Sequence, residues 1–501
     1  MKAAKGTKHE SSPFSINESD DEPDLAGEEH NGWPRDDSPI KSRDFERGNR
    51  NGNDTAQRKA GAEEERGWRD VYLTVEFLNV LIMSVAFLLL FAAYNTIQNY
   101  VTSLLPGNLG NVSLGVLYVT VAVTVFLAPA IVYACREKWT MVFGALCYVV
   151  YMASLIEIVE WAVLGASVVI GFGAATLCSP KGKRGTHTGI FWGLFQFSNV
   201  FGNLAAYFVL PHVSKALLFA VFTSVGAAGA ASLLFLRRIA AYDQQPAYLA
   251  AGSDDEEKAR RQETIELVPP GKPIRGIVGM WRRVRDGAGL VYRSIWLDVV
   301  VLFPDPRILL LSPMFFLTGF ELAFWTGEFP QLLDPSTIGL VLMFAGVAEV
   351  VGGLMVGWLS DRLGRSFTVL LGTFFYATGL LLTSYLKYGY WESPTLFGAP
   401  LSAFAAAYCF GTGDSAFNTQ TYAALGQLFP DPERKSLGAF TIFQFVQNVG
   451  SAVGFFYALA LPLHGATGTL AQAWIQLGVL GLASVLFVAV DWIWLRRALP
   501  T

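Results

Sequence analysis

The sequence predicts an all-α polytopic membrane protein with twelve transmembrane helices in two six-helix halves. Three observations predict it. Hydrophobic residues fill 52% of the 501 positions and charged residues only 16%, whereas a soluble domain carries about 25% charge. The apolar residues come in blocks long enough to cross a bilayer core, which takes about 20 residues of helix. A long hydrophilic interval falls between the sixth and seventh blocks and divides the chain.

Residues 1–70 are rich in Asp, Glu, Arg, Asn, Gly and Ser and lack any apolar run, the composition of a disordered cytosolic tail. No apolar signal region stands near Met1, so the first membrane helix is expected to act as the internal signal. The N-terminal half, 71–236, holds blocks at 71–101, 112–134, 139–157, 160–179, 188–210 and 213–236. A cytosolic linker, 237–307, follows. The C-terminal half, 308–495, holds blocks at 308–328, 336–358, 366–386, 398–428, 436–461 and 470–495, before a short cytosolic tail at 496–501.

Orientation follows from basic residues in short loops. One side collects Arg136, Lys138, Lys181, Lys183, Arg184, Arg362, Arg365, Arg434, Lys435, Arg496 and Arg497; the other has Lys215 and Lys387. Both termini are therefore expected in the cytosol, in either the plasma membrane or an endomembrane. The sequons at Asn17 and Asn53 would then be silent. Asn111-Val112-Ser113 would lie in the first non-cytosolic loop, which makes Asn111 a glycosylation candidate.

The linker has two parts. Tyr242 to Pro273, with Ser253-Asp254-Asp255-Glu256-Glu257, has the composition of a flexible connector. In 274–285, Ile274, Ile277, Val278, Trp281 and Val284 follow helical spacing, beside Arg275, Arg282, Arg283 and Arg285. That pattern describes a basic amphipathic helix on anionic lipid, or a soluble helix packed on the bundle.

Polar residues inside the blocks are the candidate site. The tenth block carries Gly411-Thr412-Gly413-Asp414-Ser415-Ala416-Phe417-Asn418-Thr419-Gln420. Asp414 and Asn418, four apart, share a helix face. At membrane depth a carboxylate costs several kcal/mol unless it faces protein, water or an ion. Asp414 is therefore either a hydrogen-bond node between helices or part of a central site. In the second case Asn95, Gln98, Gln196, Asn199, Glu321, Asp414, Asn418, Gln444 and Asn448 would line a midplane cavity. Its amides would bind a polar solute and its acids a proton or cation, with Glu349 a further acid nearby.

The halves also resemble each other. Phe195-Gln196-Phe197 recurs as Phe443-Gln444-Phe445 in the corresponding helix, and each is followed by amides on the same face: Asn199 and Asn203, then Gln447 and Asn448. Such matches point to parallel repeats. The four cysteines are scattered without metal spacing. His187, His212 and His464 fall in loops or at helix ends, where solvation is the simpler role. No nucleotide loop, metal cluster, nucleophile motif or nucleic-acid pattern is present, so neither an enzyme nor a cofactor is expected.

After the eighth block, Gly357-Trp358-Leu359-Ser360-Asp361-Arg362-Leu363-Gly364-Arg365 resembles the gating-loop signature of the major facilitator superfamily. Its glycines suit a tight turn and close helix approach, and Asp361 could brace neighbouring helix ends. The corresponding loop of the first half, Cys135-Arg136-Glu137-Lys138, lacks the motif. Within that superfamily the membrane domain from Phe87 to Phe487 resembles the uncoordinated-93-like (Unc-93-like) family. The resemblance rests on Phe91-Ala92-Ala93-Tyr94-Asn95-Thr96-Ile97-Gln98-Asn99, Gly189-Ile190-Phe191-Trp192-Gly193-Leu194-Phe195-Gln196 with Gly202-Asn203, Asp305-Pro306-Arg307, Thr318 to Phe324, and Gly413-Asp414 with Asn418-Thr419-Gln420. It departs from the family near Leu177-Cys178-Ser179-Pro180, where the usual Trp-x-x-Gln-Gly-x-Tyr-like stretch is missing. The resemblance implies a regulator of potassium channels or of membrane-protein trafficking, with a channel or another membrane protein as partner; the fold alone implies a secondary transporter.

The orientation is directly testable. Protease added to intact cells is expected to leave residues 1–70 and 237–307 uncut; cleavage there from outside would overturn the orientation.

Overall fold

The computed structural model describes residues 75–135, 137–177, 186–237, 296, 299–388, 394–430, 434–461 and 468–496. The tail at 1–70, the expected amphipathic helix at 274–285, residues 178–185 and most of the linker lie outside them. The described helices of the first half are α1 (Val75–Leu104), α2 (Leu109–Thr124), α3 (Ala128–Cys135), α4 (Glu137–Ser154), α5 (Glu160–Leu177), α6 (Thr186–Val209) and α7 (Lys215–Ser232). Those of the second half are α8 (Pro306–Ala323), α9 (Ile338–Leu363), α10 (Arg365–Tyr388), α11 (Leu401–Leu428), α12 (Arg434–Ala460) and α13 (Gly468–Val490). Each expected membrane block has a helix.

The departures are local and have causes. The second block is split into α2 and α3, because Pro129 has no N–H to give the Val125 carbonyl. The tenth helix starts at Leu401 rather than 398, after a short hairpin of β1 (Thr395–Leu396) and β2 (Ala399–Pro400). Phe397 and Gly398, both at positive φ, make its turn. The seventh begins at Pro306, with Asp305 as cap accepting from the Arg307 N–H at 2.8 Å. It then runs past Ala323 through a π turn, Phe324–Glu328, and a 3-10 turn, Phe329–Leu332.

Among the described residues, eight helices are long and apolar enough to cross a membrane by length and composition alone. α11 is long but falls outside that set, diluted by Asp414, Asn418, Gln420 and small residues along its length. Its burial is thus a matter of packing. Large apolar side chains such as Phe374, Leu354 and Val485 are exposed on the outside of the bundle, where a bilayer supplies the missing apolar contact.

The packing repeats. In the first half α1 packs on α6 and α7, α2 on α5, α4 on α5 and α7; in the second α8 packs on α12 and α13, α9 on α11, α10 on α11 and α13. The halves meet along two equivalent seams, α2 with α12 and α9 with α6. The Phe-Gln-Phe repeat is part of this symmetry. Gly202 and Gly450 each stand six positions after their glutamine (196 to 202, 444 to 450). A Cβ on Gly202 would lie 2.1 Å from the Ala92 carbonyl oxygen on α1, and one on Gly450 would lie 2.2 Å from that of Phe316 on α8. These contacts are backbone to backbone, so nothing flexible can yield.

Asp305-Pro306-Arg307 also acquires a structural meaning. Arg307 holds Asp305 at 2.7 Å, donates to the Leu428 carbonyl at the end of α11 at 3.1 Å, and sits 4.5 Å over the Phe429 ring. The hydrogen-bonded guanidinium draws the Asp305 carboxyl below its ordinary range.

Gly202→Val and Gly450→Val are each expected to destabilise the detergent-solubilised protein by about 1–3 kcal/mol, the usual cost of overpacking. Gly357→Ala, where a Cβ meets open space, should leave the melting temperature unchanged or slightly raised.

Candidate functional site

Glu349 on α9, Asp414 on α11 and Asn199 on α6 fall near the middle of their helices. Glu321 lies in the last turn of α8, near the middle of the Pro306–Leu332 span that the π and 3-10 turns complete. Glu321, Glu349 and Asn199 are buried and Asp414 is half-buried. The Glu321 and Asp414 carboxyls face each other within hydrogen-bonding reach, and Glu349 acts electrostatically on both. No donor among the described residues reaches either oxygen of Glu321. Its neighbour is another acceptor, so the two close a hydrogen bond only if one carries a proton.

Around this pair the amides are ordered. Asn418 donates to Asp414 Oδ1 at 3.0 Å, as the four-residue spacing predicts, and Gln447 donates to Asn418 at 3.3 Å and to Thr318 at 3.2 Å. Asn199 donates to Glu349 across the seam at 3.1 Å. Asn203 donates to Asn199 at 2.8 Å, and Asn99 to Asn203 at 3.1 Å.

The remaining candidates do not converge here. Gln98 bonds Tyr118 at 3.1 Å and Thr326 at 3.3 Å, further toward the Leu104 end of α1. Gln444 bonds Tyr422 at 3.3 Å toward the other end of the bundle, and Asn448 bonds back to the Gln444 carbonyl at 2.6 Å. Asn95 and Gln196 are half-buried on α1 and α6. The expected single cavity is therefore divided into separate polar groups along the bundle. A groove of about 530 Å³ between α2 and α12 lies elsewhere, with apolar walls that include Val119, Val123, Phe445, Val449 and Phe456.

A second carboxyl escaped the sequence reading. Glu328, in the π turn after α8, is buried and accepts from Asn111 at 2.8 Å, Gln331 at 3.1 Å and Gln472 at 3.3 Å. It lies seven residues beyond Glu321, a spacing that returns to the same helix face. Gln472 and Gln476, four apart in an otherwise apolar helix, were a comparable signal. The halves are further joined at this end by Thr102 to the Gly327 carbonyl at 2.6 Å and by the Gly339 N–H to the Tyr100 hydroxyl at 2.8 Å. The glycosylation expectation is corrected here. Asn111 is not in a loop but inside α2, buried, with its amide committed to Glu328.

The gating-loop motif also reads differently in three dimensions. Gly364 ends α9 at φ +87°, its N–H on the Ser360 carbonyl at 3.0 Å, a conformation that favours glycine. Gly357 faces open space and provides no close helix approach, and Asp361, expected to brace neighbouring helix ends, is exposed. Arg362 lies 4.3 Å over the Trp358 ring. The buried acid that braces this end is Asp491, which accepts from Ser366 and pairs with Arg496 at 3.2 Å. Arg365 interacts with both Asp491 and Asp361.

The family model for the ion channel regulatory protein UNC-93 matches residues 104–480. The chain belongs to the UNC-93 family. Among its relatives, UNC93-like protein MFSD11 of Xenopus laevis is 29% identical over 436 residues, covering 78% of this chain and 91% of that protein. Protein unc-93 homolog A of Bos taurus is 26% identical over 458 residues, covering 84% and 94%. The crystal structure of the nucleoside transporter NupG aligns with a TM-score of 0.57 at 13% identity, covering 83% of this chain and 98% of that one. That likeness shows the fold alone. It is the all-α major facilitator fold, here in an UNC-93 family member.

Asn111→Leu removes a donor from a buried carboxyl and is expected to cost about 1–3 kcal/mol in thermal stability. Endoglycosidase treatment should leave the mobility of the wild-type protein unchanged; a shift that Asn111→Gln abolishes would contradict the buried placement.

Proposed function

We propose that this UNC-93 family member regulates an ion channel, of the potassium class, or the trafficking of a membrane protein, and that the midplane carboxyls make it sensitive to a proton or cation. The family description supports the regulatory role. The observation that carries the ion-sensitive element is the Glu321 carboxyl, buried without a donor and facing Asp414. Two negative charges so placed repel in a medium that screens them poorly. A proton or cation between them removes the repulsion, and its arrival or loss changes what holds α8 against α11. Both termini in the cytosol, a channel or other membrane protein as partner, and anionic lipid at 274–285 belong to the same proposal.

A second reading has its own support. The major facilitator fold and its likeness to a nucleoside transporter suit a secondary transporter moving a small polar solute or ion. The amides around Asp414 and Asn199 would then contact the cargo.

Asp414→Asn tests the ion-sensitive element. The variant keeps the shape and its bond to Asn418 but loses the charge. It is expected to reach the membrane at normal abundance and lose ion- or pH-dependent activity, read as potassium-dependent growth. Asp414→Leu should lower abundance as well, because Asn418 loses its acceptor. Wild-type activity in Asp414→Asn at normal abundance would sink the ion-site reading. Uptake of monovalent cations or small polar solutes into proteoliposomes would favour the transporter.

A further inference from the structure

Between the midplane pair and Glu328 runs a buried chain of polar side chains from three helices of the second half. Tyr376 on α10 interacts electrostatically with Glu321 and Asp414, and its hydroxyl donates to Gln476 Oε1 on α13 at 3.3 Å. Gln476 donates to the Phe320 carbonyl at 3.3 Å and bonds the Tyr457 hydroxyl on α12. Tyr457 donates to Gln472 Oε1 at 3.4 Å, and Gln472 Nε2 donates to Glu328 Oε2 at 3.3 Å. Tyr376, Gln476 and Gln472 are fully buried. The Tyr376 and Tyr457 hydroxyls and Gln472 Nε2 donate along the chain toward Glu328, while Gln472 Nε2 also donates to the Leu461 carbonyl at 2.6 Å.

We infer that Glu328 is a second proton-binding carboxyl whose occupancy alternates with that of the Glu321–Asp414 pair through this chain. The inference rests on the pair being a protonatable site. With the Tyr376 and Tyr457 hydroxyls and Gln472 Nε2 donating toward Glu328, the chain supports a negative charge there and gives Glu321 no donor, which suits a pair that holds its proton. A proton gained at Glu328 removes the charge that orients the chain. The hydroxyls and amides can then turn their donors toward the pair, which supports the pair with its proton released. One O–H bond forms at Glu328 and one breaks at the pair, each proton exchanging with water. A mere brace between α8, α10, α12 and α13 would need no carboxyl at both ends. It would also need no donor-free carboxyl at one of them.

Among the described residues, the groups facing each site are few. Glu349 from α9 and Tyr376 from α10 face the pair, with uncharged Asn418 and Gln447 beside it. Tyr457 from α12 faces Glu328, with uncharged Asn111, Gln331 and Gln472. Hydrogen-bonded networks of this kind couple their ends more strongly in a dry interior than in water.

The test uses the full-length protein in lipid nanodiscs and dicyclohexylcarbodiimide, an apolar reagent that modifies protonated carboxyls at membrane depth. Adducts on Glu321 and Asp414 are read by peptide mass spectrometry as a function of pH. Glu328→Gln mimics the occupied second site, so labelling of the pair should be lost about one pH unit lower, a tenfold change in proton affinity. In a Tyr376→Phe background, or Gln472→Leu should that variant fail to fold, Glu328→Gln should have no further effect, as a double-mutant cycle requires of coupled residues. An unchanged profile in Glu328→Gln overturns the inference. So does a full shift that survives the broken chain, which would mean coupling through space alone. A wild-type pair that is never labelled overturns the reading of the pair as a proton site, a distinct failure that takes the inference with it.

Discussion

Hydrocarbon offers no hydrogen bonds, so every polar group at membrane depth must be satisfied by the protein or by something it binds. The polar interior of this chain follows from that constraint. Asn99, Asn203, Asn199 and Glu349 form one ladder across the halves, and Asn111, Gln331 and Gln472 close around Glu328 as another. Glu321 breaks the rule, since no donor among the described residues meets its carboxyl. Other buried atoms, such as Asn111 Oδ1 and Ser415 Oγ, also lack a partner, but at Glu321 both oxygens of a carboxyl do, and the proposed proton site rests on that.

The repeat makes that violation informative. The five helix pairings within each half correspond, and Gly202 and Gly450 occupy equivalent close approaches. The polar chemistry does not correspond. The first half contributes amides to the interior, such as Gln98, Asn99, Asn111, Asn199 and Asn203, while Glu321, Glu328, Glu349 and Asp414 all belong to the second. Two bonds, Asn199 to Glu349 and Asn111 to Glu328, join carboxyls of the second half to amides of the first. A regulator whose halves report on one another needs connections of this type, and so does a transporter; fold alone leaves function open.

α8 is the element on which these features meet. It begins with the Arg307 clamp on the end of α11, passes Pro313 and carries Glu321 in its last turn. It then widens into the π turn that ends at Glu328. Turns of this kind add a residue to the helix and recur at functional sites. With Glu321 and Glu328 on one element, a shift of α8 moves both carboxyls.

The sequence by itself determined the class, the repeat of the two halves, the helix bounds to within a few residues and the family. Those properties depend on block length, composition and short motifs, which are written along the chain. It also determined that Asp414 and Asn418 meet, because four residues on one helix is a local distance. Tertiary structure decided the rest. The nine candidate polar residues were chosen for being polar at membrane depth, and depth does not say which helix stands opposite; packing separated Gln98 and Gln444 from the midplane and joined Glu321 to Asp414. Asn111 matched a three-residue sequon, but its fate depended on Glu328, 217 positions away. Asp361 carried the expected brace in sequence, and Asp491 carries it in space, because the end of α13 lies against the start of α10 and no motif records that proximity.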